Sequence, residues 1–377
     1  MKKKILIAPN SYKECADAVT VSNYIEEELE KFNSPGKIIL PLSDGGDGFL
    51  EVCAKYKSLK ILEYSISTPY DETTFTCQVG YDKMNQIIYI ESAKVLGLNL
   101  IPLEKRHPLF LSSKGMGNLF QKLLKDIEQK KLAVKKIIIG IGGTGTNDLG
   151  LGLLDEFGLK MKDKDGKFLN IIPANYGKVE QIHWNKIELP FDIELISDVD
   201  NLLLGRYGAT KIFGKQKGLT DDEITIAENG FKKILKSIKK NDLITSFEDL
   251  PGAGGGLAAG LKIFFNAKIK SSKVFISEIM DFISKEDIDL VITGEGAFDF
   301  QSVSQKATGY LIDIFTELKK TVIVCCGKFD GNISGKLPKN VFVIELRKYF
   351  QNDEESIKQF RVGIRMAIKE ISERFLN

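Results

Sequence analysis

Residues 136–154, KIIIGIGGTGTNDLGLGLL, constrain the chain more than any other stretch. The isoleucine run Ile137 to Ile139 reads as a strand buried on both faces, the kind found in a parallel sheet covered by helices. It empties into a loop with Gly142, Gly143 and Gly145, and apolar residues return at helical spacing from Leu149 to Leu154. A glycine loop between strand and helix turns backbone N–H groups toward a helix start, which suits a phosphate. Thr146, Asn147 or Asp148 would cap that helix. A tight capped turn that binds nothing has the same pattern, so other stretches must decide.

The pattern recurs. Lys4 to Pro9 (KILIAP) predicts a buried strand with Asn10, Ser11 and Lys13 at its C-terminal end, the end where open α/β sheets bind ligands. Asp17 to Glu30 predicts the returning helix, and Lys37 to Leu42 a strand that delivers Asp44, Gly45, Gly46 and Gly48. Ile193 to Ser197 delivers Asp198 and Asp200, two apart and so on one face if strand geometry persists; the alternative is a turn with a helix cap. Asp289 to Thr293 delivers Glu295 and Asp299, and LPGAGGGLAAG from Leu250 to Gly260 is a second glycine loop opening a helix. Lys320 to Cys326 and Val341 to Leu346 complete the strands, and Ser356 to Phe375 predicts a closing amphipathic helix. Glu91 to Leu98 and Asn118 to Gln129 read as helices, the latter after a loop with Gly115 and Gly117. Lys60 to Ile90 instead alternates with turn signals, which predicts antiparallel strands.

Acids and glycines at the ends of four or five buried strands suit a magnesium-nucleotide. Phosphoryl transfer needs donors for phosphate oxygens, carboxylates for the ion, and one carboxylate to orient or deprotonate the attacking hydroxyl. Two other nucleotide motifs bear on this stretch. The lysine-serine ending of a P-loop is missing. Gly140, Gly142 and Gly145 satisfy G-x-G-x-x-G with Asp163 and Asp165 downstream, so a nucleotide-dependent dehydrogenase is an alternative, although DKDG from Asp163 to Gly166 reads as a hairpin turn.

With 377 residues the chain has room for two domains, and 53 basic against 51 acidic residues give no reason to expect nucleic acid or a membrane surface as partner. A small-molecule substrate is expected instead. The five cysteines have no metal-ligand spacing, and their odd number fits a reducing compartment, hence a cytoplasmic protein. No segment is long and apolar enough to span a membrane. His107 and His183 stand by no serine or cysteine motif, so triad chemistry has no support. The oligomeric state is open, with a homodimer compatible.

These residues together resemble the bacterial glycerate kinases built from two α/β domains. The likeness rests on Ala8-Pro9 with Ser11 and Lys13, Asp44-Gly45-Gly46 with Gly48, Arg106 with Pro108-Leu109, Gly140 to Gly143 with Thr146-Asn147-Asp148, Asp198 to Asn201, Pro251 to Gly254, and Thr293 to Gly296 with Asp299, Gln301 and Lys306. The resemblance implies ATP- and Mg2+-dependent phosphorylation of D-glycerate, usually to 2-phosphoglycerate. It also implies a doubly wound, Rossmann/flavodoxin-like parallel-sheet domain formed by both chain ends (1–60 and 285–377), a second α/β domain with antiparallel strands inserted at 61–284, and an active site in the cleft between them. The expected assignments are Asp200 or Asp198 as catalytic carboxylate; Ser11, Lys13, Asp44, Asp299 and Lys306 for substrate; Gly142, Gly143, Thr144, Asn147, Asp148, Gly254 and Gly255 for nucleotide; and Asp198 with Glu295 for metal. The sequence departs from the family pattern at Asn10 (aspartate), Tyr12 (phenylalanine), Glu14 (glycine), Thr144-Gly145 (serine-alanine), Ala297 (arginine) and Gln305 (glycine), and its Pro251 loop is about two residues short. A kinase for another small hydroxy acid and an inactive ligand-binding relative are the remaining alternatives.

Overall fold

The computed structural model describes all residues except 1–3, 14, 33–35, 199, 200, 242, 243, 245, 247, 282, 305 and 377. The chain divides into two compact units, residues 1–56 with 271–377, and residues 57–270.

The unit made by the two chain ends holds a five-stranded sheet in the order Val341–Glu345, Thr321–Phe329, Leu290–Phe298, Ile5–Pro9, Lys37–Ile39. Every neighbouring pair runs parallel. Numbered along the chain within this unit, the order is 2-1-3-4-5, the flavodoxin-like arrangement, and the topological switch falls between Ile5–Pro9 and Leu290–Phe298. Alternation along Ile5–Pro9 explains the two covered faces. Ile5 and Ile7 pack with Val21 and Ile25 of helix Ala18–Glu30 and with Ile364 and Ile368 of helix Phe360–Ile371, while Leu6 and Ala8, equally buried, point to the opposite face. Asp17 starts the first helix by accepting from Thr20 N at 2.8 Å, as its position in the sequence suggests.

Residues 57–270 hold a six-stranded mixed sheet and a small three-stranded one. Lys60–Ser67, Thr74–Asp82 and Ile87–Glu91 pair antiparallel, as their alternation predicts. Ile87–Glu91 then lies parallel to Lys136–Gly140, and that strand lies parallel to Asp192–Ser197. The small sheet is antiparallel, with Asp163 turning the hairpin by accepting from Asp165 N and Lys167 N at 2.9 Å each.

Several boundaries differ from the sequence expectation for identifiable reasons. The inserted unit ends at Lys270 rather than 284. Helix Ser272–Met280 packs with the chain-end unit, through the Phe275 ring 5.4 Å from that of Phe49 and Lys273 Nζ donating to Ser304 O. Gly115 and Gly117, expected in a loop, lie inside helix Lys114–Glu128. A Cβ at Gly115 would stand 2.4 Å from Ser67 O, and one at Gly117 2.5 Å from Leu153 O, so these glycines allow close packing rather than a bend. The Leu290 strand runs on to Phe298, because its partner Thr321–Phe329 is equally long. The closing helix is broken into Asp353–Lys358 and Phe360–Ile371. Among the described residues no helix is long and apolar enough to cross a membrane.

Candidate functional site

Polar side chains gather at the switch point of the five-stranded sheet, where the loops after Ile5–Pro9, Lys37–Ile39 and Leu290–Phe298 meet. Asn10 N donates to Gly294 O at 2.8 Å, so the loop after Ile5–Pro9 leaves the sheet still held to the strand Leu290–Phe298. Gly294 permits this approach: a Cβ there would lie 1.6 Å from Cys325 O and 2.5 Å from the Tyr12 hydroxyl. Asn10 Nδ2 donates to Asp44 Oδ2, and Asn10 Oδ1 accepts from Ser11 N at 2.8 Å. Asp44 Oδ1 accepts from Ala307 N at 2.7 Å, so this carboxylate sits at the N-terminus of helix Ala307–Glu317, where the helix dipole favours a negative charge. Lys306, the residue before that helix, donates to Glu295 Oε2 at 2.7 Å. Asp299 accepts from Ser302 N at 3.0 Å, and Ser302 Oγ lies 3.4 Å from Lys306 Nζ.

The electrostatics follow from that packing. Burial pushes the Asp44 carboxyl up, against the stabilising Ala307 N–H, Asn10 amide and Lys306 charge. Burial does the same to Glu295, opposed by Lys306 and reinforced by Asp44. Burial disfavours the Lys306 ammonium, but Glu295, Asp299 and Asp44 outweigh it and hold this lysine above its ordinary value. The Thr308 hydroxyl is beside Glu295, yet neither Glu295 Oε1 nor Thr308 Oγ1 completes an aligned hydrogen bond, and both are buried. Lys13 is exposed and makes no ion pair among the described residues; its backbone N lies near Gly296.

Four of the five expected substrate residues, Ser11, Asp44, Asp299 and Lys306, are thus brought into one connected cluster with Asn10, and Lys13 stands at its rim. Glu295, expected as a metal ligand, is instead bonded to Lys306, and an ammonium at that distance opposes a divalent cation. Asn10 stands at a strand end that the sequence marks, whereas Ser302 and Thr308 carry no such mark. Their polar groups have no pattern of their own, and only the crossing of loops brings them to the site.

The inserted unit has its own candidate site at the loop after Lys136–Gly140. Gly142 O accepts from Ser92 Oγ and Gly143 O from Leu98 N, whereas the Gly142 and Gly143 N–H groups donate to no acceptor among the described residues. Gly143 is exposed and has φ +72°, the left-handed conformation that one residue of an anion-binding nest adopts. Lys217, from the turn Lys215–Lys217, reaches beneath this loop; its Nζ donates to Thr146 O at 2.8 Å and approaches Thr144 Oγ1 at 3.4 Å. Nothing in the pattern around Lys217 marks it, because its burial depends wholly on the chain's return to the loop.

Two of the expected nucleotide contacts have other roles. Asp148 is fully buried and accepts from Ser113 N and Oγ, Gly150 N and Gly152 N, which ties two helix starts together and leaves it no approach to a ligand. Gly255, with φ +64°, is buried, and a Cβ there would stand 2.1 Å from Thr146 O, so it seats the second glycine loop against the first. Gly254 is partly buried against Ile141, and Asn147 is hydrogen-bonded to Thr210. Asp198 follows strand Asp192–Ser197 and is partly buried; Asp200, like the departures at Glu14 and Gln305, lies outside the described residues. Among the described residues no group of three or more His, Cys, Asp or Glu side chains is placed to hold a metal ion. Asp163 stands in a hairpin rather than at the end of a buried parallel strand, so the dinucleotide-binding alternative loses its ribose acid.

The profile of the glycerate kinase family matches residues 5–375. The chain is 33% identical over 309 residues to the glycerate kinase of Neisseria meningitidis serogroup B, covering 81% of this chain and 80% of that protein. It is 32% identical over 337 residues to the glycerate 2-kinase of Escherichia coli K12, covering 88% and 86%. A crystal structure from Salmonella typhimurium LT2, assigned as glycerate kinase 2, superposes with a TM-score of 0.75 at 28% identity, covering 98% of this chain and 97% of that one. The flavodoxin-like sheet with its polar switch point, the inserted mixed-sheet unit with its glycine loop, and these likenesses over nearly the whole length place the chain in the glycerate kinase family.

Proposed function

We propose that this protein transfers the terminal phosphoryl group of ATP to a hydroxyl of D-glycerate, giving 2-phosphoglycerate. The observation that carries the reading is the cluster of Asn10, Asp44, Glu295, Asp299 and Lys306 at the switch point of a parallel sheet, in a chain of this family. Such a cluster of fixed donors and acceptors suits a small, densely hydroxylated acid, because each hydroxyl finds a partner already oriented. Glycerate also carries a carboxylate. Lys306 is engaged by Glu295, so the exposed Lys13, beside Gly296, is the available cation and takes the part of the arginine that Ala297 lacks.

The phosphates are assigned to the free N–H groups of Gly142 and Gly143, with Thr144 beside them. Magnesium, if bound with the nucleotide, would supply positive charge against the phosphates. Asp198 is the carboxylate proposed to meet it. Asp200 is proposed to accept the proton of the attacking hydroxyl.

The test is steady-state turnover of the purified protein with ATP, magnesium and D-glycerate. ADP should form only when glycerate is present, and Asp200→Asn should lower kcat by about a hundredfold or more with little change in KM for ATP. Turnover with another hydroxy acid but not with glycerate would retain the chemistry and change the substrate. Ligand binding without turnover would identify an inactive relative.

A further inference from the structure

Lys217 is 7% exposed and forms no ion pair among the described residues. The charged groups around it are engaged elsewhere: Lys215 with Asp221 at 2.8 Å, His107 with Glu223 at 3.0 Å, Lys211 with Glu228 at 3.0 Å, and Arg106 Nε with Ile101 O at 2.9 Å. Among the described residues only Asp148 acts on its charge, and that carboxylate already accepts from four donors. Burial accordingly pulls the Lys217 ammonium down to about 8. The Thr146 hydroxyl, in the same loop, is buried and has no hydrogen-bond partner among the described residues. A buried ammonium without a bonded counterion is costly, and here it lies under a backbone loop whose outer N–H groups are free.

We infer that Lys217 is a positioning residue for the nucleotide: held by Thr146 O and Thr144 Oγ1, it fixes the loop and adds positive charge beneath the Gly142–Gly143 crest, so that the triphosphate binds to the protonated form. In a low-dielectric setting a unit charge acts through the loop much more strongly than it would in water. This inference rests on the assignment of phosphates to the glycine loop, and deepens it by naming the charge that the loop otherwise lacks.

The experiment compares wild type, Lys217→Met, Lys217→Gln and Gly143→Val, each checked for folding by thermal melting, in KM for ATP, KM for D-glycerate and kcat between pH 6.5 and 9.5. Wild-type kcat/KM for ATP should fall as pH rises through about 8, while KM for glycerate stays level. Lys217→Met should raise KM for ATP at pH 7 by tenfold or more and abolish the alkaline fall; Lys217→Gln, which keeps a donor for Thr146 O but no charge, should behave alike and decides the matter if the Met variant does not fold. A purely structural lysine would leave the shape of the pH profile intact, and that result overturns the inference. If Gly143→Val weakens ATP binding while both Lys217 variants bind normally, the inference falls and the loop assignment stands. If a folded Gly143→Val binds ATP normally, the phosphates are not at this loop and both fall.

Discussion

Each unit withdraws a lysine from water, Lys306 partly and Lys217 almost wholly, and they treat it in opposite ways. In the chain-end unit Lys306 is surrounded by Glu295, Asp299 and Asp44, which hold its proton more tightly than water would. In the inserted unit Lys217 bonds, among the described residues, to a carbonyl and a hydroxyl alone, and burial loosens its proton. The first arrangement is a closed network whose charges answer one another, suited to orienting a small polar molecule. The second is an open charge, suited to an anion that arrives from outside. The difference follows from where the acids fall: strand ends of the parallel sheet deliver Asp44 and Glu295 next to Lys306, whereas Asp148, the acid that acts on Lys217, is committed to helix starts.

The contrast is broken most directly at Lys306. Lys306→Met leaves Glu295 buried without its partner and should cost about 3 kcal/mol of unfolding free energy at pH 7, measured by denaturant titration. Adding Glu295→Gln should recover part of the loss, since the orphaned charge goes with it; a double variant no better than the single would mean that the orphaned charge is not what the Lys306 substitution costs.

Lys217→Met should do the reverse and stabilise the fold at pH 7, by about 2 kcal/mol. The sign follows from linkage: between about 8 and 10.5 the unfolded lysine holds its proton and the folded one does not, so wild-type stability contributed by this group rises across that window. The gap between variant and wild type should therefore narrow from pH 7 to pH 10. A gap independent of pH would show that Lys217 is not desolvated as the structure implies.

The smallest expected effect sharpens the comparison at the rim of the first cluster. Ala297 is exposed at the edge of that cluster, and Ala297→Arg restores the guanidinium typical of the family. If Lys13 is an imperfect substitute, kcat/KM for D-glycerate should rise about tenfold, equivalent to about 1.4 kcal/mol. No gain, with efficient wild-type turnover, would mean that Lys13 already supplies the charge in full.

Much of the architecture was legible along the chain because it depends on local patterns. Apolar runs such as Ile137 to Ile139 and Leu290 to Ile292 announced buried parallel strands, the alternation after Lys60 announced antiparallel ones, and DKDG announced its hairpin. Strand ends rich in acid and glycine also located Asp44, Asp299 and the Gly142 loop, because a parallel sheet presents its ligand face at those ends. What the pattern could not assign was the partner of each polar group. Whether Glu295 serves a metal or Lys306, whether Asp148 faces a ligand or caps two helices, and whether Gly115 bends the chain or admits Ser67 are set by segments far apart in sequence. Lys217 is the extreme case. Its neighbours Thr144 and Thr146 are some seventy positions away, so its charge state, and the role inferred from it, arise only when the chain folds back and removes water from the ammonium.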